Sequence, residues 1–272
     1  MIRKTVLMAL ASLIFYGLEA QTFKDVFRRA LAEKNMTDAA EILRDWDFED
    51  RNDPELYPAY FNYYTVKSLE KDTLHYDRTY ADSALSYISE GINMYPTRFD
   101  MRVVKIYLLS KLKEFDKLTD ETILLIDYSK KIGNNWKSED FRLLESPDIV
   151  MEGAVQDFQE ILFAQEDTTL FNNIRRISEY MIKQYPEYEQ SWMNLSMLHI
   201  MRKEYDKSLE ALKNAEKINP RNAFLLYNLA YIYKIKGDKL KAKKYFEQTI
   251  AAVDLKKEPH LKKAAEEELK KL

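Results

Sequence analysis

EQSWMNLSMLHIMRKEYDKSLEALKNAEKINPRN occupies residues 189–222, and AFLLYNLAYIYKIKGDKLKAKKYFEQTIAAVDLK occupies residues 223–256. Laid over each other, the two stretches keep one offset of thirty-four residues: Trp192 falls on Leu226, Asn194 on Asn228, Leu195 on Leu229, His199 on Tyr233, Ser208 on Ala242 and Leu212 on Phe246. A fixed period of this size means one supersecondary unit stacked on its copy. Each unit reads as two helices. Small residues at Ser196, Ala230, Ser208 and Ala242 let the helices of a pair approach closely, and Trp192, Leu212, Leu226 and Phe246 fill the space between neighbouring pairs. Pro220 ends a second helix because it has no N–H to donate to the preceding turn.

Upstream the register persists in weaker form. Pro186 sits thirty-four residues before Pro220, and Ile174 lies twelve before Pro186, as Ser208 does before Pro220. The interval recurs at Ala84 and Pro96. That unit's first helix is expected over Pro54–Tyr64, with Asp53 as its cap and Pro54 in its first turn. An insertion of roughly eleven residues, around Lys67 to Asp77, separates its two helices. Phe99 to Ile132 gives another unit, turning at Lys113-Glu114-Phe115-Asp116, and Phe23 to Trp46 an opening pair, turning at Asn35-Met36. Gly133 to Gly153, with Asn134-Asn135, Pro147 and an exposed-looking Trp136, has no clean helical period. It reads as a connecting segment, with a short irregular helix inside it as the alternative. Glu258 to Leu272 is one more helix, whose charges four apart (Lys262 with Glu266, Lys263 with Glu267, Glu266 with Lys270) suit the polar cap of an array.

These residues resemble the tetratricopeptide repeat, in which a large residue, Leu, a small residue and Tyr mark the first helix. The resemblance is strong over 189–256 and looser over 22–188. It implies an all-α fold, a right-handed solenoid of antiparallel helix pairs. The expected layout is a leader at 1–20, degenerate repeats at 21–132, a connecting segment at 133–154, clearer repeats at 155–257 and a capping helix at 258–272. In such arrays the first helix of each pair lines a concave groove. By register this points to Met193, Asn194, Met197 and Met201 in one unit, and to Phe224, Tyr227, Asn228 and Tyr231 in the next. Family members that grip a C-terminal carboxylate use Asn with Lys and Arg there. Asn194 and Asn228 match the Asn, but Phe224 and Asn228 stand where the next repeat should supply Lys and Arg, so the clamp is disfavoured. What remains is a groove lined by Met and aromatic residues, suited to the apolar side chains of a peptide unless the chain's own N-terminal half covers it.

Composition bounds the rest. The 272 residues are 46% hydrophobic and 32% charged, a foldable balance, and only 5 Gly and 7 Pro argue against a turn-rich sheet protein. A net charge of −3 offers no basic footprint for nucleic acid. Arg3 and Lys4, the apolar run Thr5–Leu18 and Ala20 before Gln21 form the layout of a secretory leader cleaved after Ala20. As a helix the run spans about 21 Å, short of the ~30 Å hydrocarbon core, so an uncleaved anchor is the lesser alternative. No later run approaches spanning length. With no cysteine there are no disulfides and no lipid on an N-terminal cysteine. The expected destination is a Gram-negative periplasm, with full secretion the alternative.

Catalytic patterns are missing. The sequence has no Gly-rich phosphate loop, no His-Glu-x-x-His and no Gly-x-Ser-x-Gly. His75 and His260 lack companions at ligand spacing, and His199 occupies the packing position of Tyr233. The acidic run Asp45, Asp47, Glu49, Asp50 and Asp53 lacks the glycine of a calcium loop. Lys234, Lys236, Lys239, Lys241, Lys243 and Lys244 read as a solvated face. Tyr57, Tyr60, Phe61 and Tyr64 share one helix face and read as core, with Tyr63 facing outward. No enzyme activity, cofactor or metal is expected. The expected function is an exported scaffold or adaptor that binds a protein or peptide segment; the alternative is a glycan- or cell-wall-binding protein using exposed tyrosines and Trp136.

Overall fold

The computed structural model describes residues 22–70, 75–254, 256 and 258–272. The leader read at residues 1–20 lies outside the described residues, as does part of the insertion, 71–74. Among the described residues there are thirteen α-helices, a short 3-10 turn at Thr168–Leu170 and one isolated β-bridge. None of the helices is long and apolar enough to cross a membrane. The chain divides into two compact units. One holds the described residues up to Leu108 together with Lys137–Arg142, and the other holds Leu109–Trp136 with Leu143–Leu272.

The first unit contains α1 (Phe23–Ala32), α2 (Met36–Glu49), α3 (Leu56–Ser68), α4 (Arg78–Met94) and most of α5 (Phe99–Lys111). The second contains the end of α5, α6 (Phe115–Lys131), α7 (Pro147–Phe163), α8 (Phe171–Gln184), α9 (Glu189–Met201), α10 (Tyr205–Ile218), α11 (Ala223–Ile235), α12 (Lys239–Ala252) and α13 (Pro259–Leu269). Helices next to each other in sequence pack as pairs, α1 on α2, α3 on α4, α9 on α10 and α11 on α12. The fold is therefore an all-α solenoid of helix pairs.

Local chemistry starts and stops these helices. Thr22 accepts from the Asp25 N–H while the Asp25 carboxylate reaches back to Thr22, a capping box that opens α1. Asn222 and Asp238 cap α11 and α12 by accepting from Leu225 and Lys241 N–H, each at 3.1 Å. Four turns between successive helices close alike. Lys34, Lys113, Lys203 and Gly237 all have positive φ. In each turn the following N–H donates to the carbonyl five residues back: Asn35 to Ala30, Glu114 to Leu109, Glu204 to His199 and Asp238 to Tyr233, at 2.8–2.9 Å. This is the Schellman closure. It recurs at Lys34 and Lys113, where the sequence period has faded, so the backbone repeat extends beyond the visible sequence repeat. Pro96, Pro186 and Pro220 each follow a helix C-cap, Tyr95, Tyr185 and Asn219, that has already left the helical region.

Packing inside the second unit follows the small-residue pattern. Ser196 and Ser208 meet across α9 and α10 through their hydroxyls at 2.8 Å, and Ala230 and Ala242 are fully buried. Leu212, Leu225, Leu226, Leu229, Ile232 and Phe246 form the core between pairs, and α13 lays Ala265 on it. In the first unit Phe27, Leu43, Trp46, Leu56 and Tyr60 make the corresponding core.

Several boundaries differ from the sequence reading. The segment after α6 becomes helical at Pro147, so the connecting stretch ends at Ser146 and residues 147–154 belong to α7. Helix α3 begins at Leu56 rather than Pro54. Asp53 caps the preceding turn, accepting from the Glu55 N–H at 2.8 Å, and its other oxygen takes the Trp46 indole N–H at 2.9 Å. Trp136 is not exposed; it is 0% accessible and donates its Nε1–H to Ser129 Oγ at 2.8 Å. Tyr63 is buried too, beside the edge of Tyr64, with its hydroxyl accepting from Lys67.

Candidate functional site

Within the second unit the first helices α9 and α11 have one face turned inward and another turned out. On α9, Met197 and Met201 lie one turn apart and are 41% and 42% exposed. On α11, Phe224, Tyr231 and Ile235 share a face at helical spacing and are exposed to a similar degree. The stripes are in repeat register, since Tyr231 lies thirty-four residues after Met197 and Ile235 thirty-four after Met201. Large apolar side chains left in water at equivalent places of two repeats are not required by either core, which uses Leu198, Leu225, Leu226, Leu229 and Ile232.

The remaining residues of the sequence-read set lie deeper. Tyr227 is half-buried with its ring edge-on to Phe246 at 5.7 Å, and burial, aided by the nearby Glu268 charge, pushes its hydroxyl pKa up. Asn228 is half-buried. Met193 and Asn194 do not reach the outer stripe; both are buried. Met193 belongs to the core between pairs. Asn194 donates to Gln156 Oε1 at 2.8 Å and to Gln159 Oε1 at 2.9 Å, and accepts from Gln190 at 3.0 Å. Its amide is thus committed to joining α7 and α9, and a buried amide is costly to leave unpaired. Ile235 was missed by the sequence reading, although its offset from Met201 was available to find it.

At the α7 end of the same unit an open cleft is lined by Asp157, Glu187, Glu189, Gln156, Gln190 and Tyr188. It carries three carboxylates and no cation. Glu189 holds the side-chain amides of Asn219 and Asn222 at 2.9 and 2.7 Å. Burial, then the neighbouring Asp148 charge, raises the pKa of Glu152 close by.

Other groups singled out in the sequence have structural partners. His199 Nδ1 meets Glu204 Oε2 at 2.8 Å across the α9–α10 turn. Lys234 pairs with Glu268, Lys236 with Asp206, and Lys241 with Asp238. Asp47 pairs with Arg51 at 2.7 Å and accepts from the Tyr60 hydroxyl. Tyr60, Tyr64 and Tyr87 stack on one another with centroids 4.1–6.3 Å apart, so their faces are spent inside the first unit. Trp136 and Tyr63, the two aromatics read as exposed from the sequence, are buried as well. Among the described residues no group of three His, Asp or Glu is placed to hold a metal.

Paired helices, a shared turn geometry and stripes in register define a helical-repeat array. Residues 189–222 and 225–252 match the tetratricopeptide repeat family, and the chain carries tetratricopeptide repeats. No curated relative matches the chain in sequence. Similar solved structures include a tetratricopeptide-repeat protein from Cytophaga hutchinsonii (C-terminal part; 14% identity, 85% of this chain and 79% of that one, TM-score 0.45). YrrB, a repeat protein with an unusual peptide-binding site, is 13% identical over 85% of this chain and 98% of its own, with TM-score 0.44. MamA is 13% identical over 74% of this chain and 94% of its own, with TM-score 0.41.

Proposed function

We propose that this protein is an exported scaffold or adaptor that binds a segment of another protein along the α9–α11 face, and that it acts by binding and not by catalysis. The observation that carries the reading is the exposed stripe of Met197, Met201, Phe224, Tyr231 and Ile235, in which Met197 with Tyr231 and Met201 with Ile235 keep register across two repeats. Flexible Met and flat aromatic side chains adapt to apolar anchors of an extended or helical peptide. The acidic cleft in the same unit favours a segment that also carries a basic residue. Export to the periplasm rests on the N-terminal residues alone: a positive start, an apolar run and a small residue at Ala20.

The test is substitution on the stripe. Met197→Glu and Tyr231→Glu place charges where apolar contact is expected, and each weakens partner binding by at least about tenfold while the repeats stay folded. Unchanged retention of every co-purifying partner by the double variant contradicts the assigned face. N-terminal sequencing of the native protein checks export. A mature chain beginning at Gln21 is the expected result, and a retained Met1 in the cytosolic fraction opposes it.

A further inference from the structure

The first unit holds a second built site, independent of the α9–α11 face. Between α1, α3 and the start of α5 lies a cavity of about 180 Å³, lined by Lys24, Arg28, Glu55, Arg98, Asp100 and Glu139 beside the apolar Phe27 and Met101. Arg98 is only 1% exposed and fixes the charged wall, forking onto Asp100 with two hydrogen bonds of 2.9 and 2.8 Å. Its Nη1 lies 2.7 Å from Glu55 Oε1 without the alignment of a hydrogen bond, and neither atom has another hydrogen-bond partner. Lys24 pairs closely with the other Glu55 oxygen at 2.7 Å.

Glu139 is the odd member. It reaches the cavity on a tight turn, in which the Phe141 N–H donates to the Ser138 carbonyl at 3.0 Å. The turn is moored by Lys137, whose N–H donates to Thr97 at 2.9 Å and whose carbonyl accepts from Phe99 at 3.2 Å. Phe141 lies over the Arg98 guanidinium, 5.4 Å from ring centre to Cζ. The Glu139 carboxylate itself is loosely held, 3.4 Å from Lys24 and 3.5 Å from Arg28, and half-exposed. Ion pairs of this kind are weak, so the carboxylate is displaceable. Three cations and three carboxylates line the cavity; with Glu139 withdrawn, one positive charge is left over.

We infer that this cavity binds a glutamate- or aspartate-bearing segment of another polypeptide, and that Glu139 is the internal occupant such a segment displaces. The charge left by withdrawing Glu139 sets the sign of the ligand. The existing occupant sets its form, a carboxylate carried on a peptide turn across an apolar wall. An internal competitor lowers apparent affinity by the fraction of molecules in which it is seated, so removing it tightens binding.

The experiment titrates a fluorescein-labelled hexaglutamate peptide against the full chain, read by fluorescence anisotropy at low salt. Hexaglutamine and inorganic phosphate serve as comparisons. Glu139→Gln is expected to bind hexaglutamate about two- to five-fold more tightly than the natural sequence, the worth of exposed ion pairs. Lys24→Gln with Arg28→Gln is expected to weaken it about tenfold or more. Arg28→Gln alone, at an exposed side chain, weakens it by a smaller factor and guards against loss of fold in the double variant, with helical circular dichroism as the check. No tightening in Glu139→Gln, or unchanged binding in Arg28→Gln, overturns the proposal. So does equal binding of hexaglutamine, or of phosphate, which would mark a general anion site.

Discussion

Gly91 has no room for a methyl group. A Cβ built there would sit 2.7 Å from Tyr57 Cβ and 3.1 Å from Met101 Sδ, so α4 can approach α3 only with glycine at this position. Gly91→Ala is expected to cost about 1–3 kcal/mol of unfolding free energy despite alanine's better helix propensity. Gly153 is the counter-case, a helical glycine in α7 with nothing within 4 Å of its would-be Cβ. Gly153→Ala is expected to stabilise by about 0.5–1 kcal/mol, and urea unfolding of the pair checks both signs. Trp136→Ala removes a fully buried ring and its hydrogen bond to Ser129 and should cost about 3–5 kcal/mol by the same measurement. Burial of Trp136 could not be read from its neighbours. Gly133, Asn134 and Asn135 mark a loop, and what covers the indole is α6, through Tyr128 and Ser129. Tyr63 failed for a related reason: it joins the core of the first unit with residues of other helices, Phe27 and Trp46 among them, which its own helix does not show.

At the scale of elements, the helix-to-helix turns and the capping helix carry the testable content. Lys203 holds positive φ in the Schellman turn where Gly237 stands one repeat later. A non-glycine residue is strained there, so Lys203→Gly is expected to raise stability by about 0.5–1 kcal/mol and Gly237→Lys to lower it by a similar amount. Thermal melts of the two variants decide this. Helix α13 is tied to α11 through Glu268, whose pKa is held below the ordinary carboxylate value by hydrogen bonds from Lys234 and then Lys271. A depressed carboxylate adds stability above its unfolded pKa of 4.5, and that contribution is lost as pH falls through the lower folded value. The melting temperature is therefore expected to fall more steeply between about pH 5 and pH 3 in the natural sequence than in Glu268→Gln. Parallel profiles would show that the ion pair contributes nothing to the cap. The helix ends themselves were legible where prolines and turn residues punctuate them, as at Pro220 and Lys113-Glu114. The start of α7 was not, because Ser146 enters it with positive φ and no cap hydrogen bond.

At the scale of the molecule, the thirty-four-residue offset was enough to give the helix-pair fold, because the period, small contacts and terminal prolines all answer to the same packing. The candidate face was only half legible. Register placed Met197, Met201, Phe224 and Tyr231 outside, but period alone does not say how far a neighbouring helix reaches. The glutamines of α7 draw Asn194 inward. The cavity around Arg98 had no sequence signature, since its charges come from four separate stretches of chain. The central claim is that the protein works by binding a partner segment along the α9–α11 stripe. The most direct test places a photo-crosslinking amino acid at Met197, Phe224 or Tyr231 in the native host, with Phe48 and Leu240 as controls. Those two are 90% and 84% exposed and lie off the stripe, so they report nonspecific contact with apolar surface. The account predicts one discrete crosslinked partner from all three stripe positions and none from the controls; equal crosslinking at Phe48 and Leu240, or none along the stripe, would contradict it.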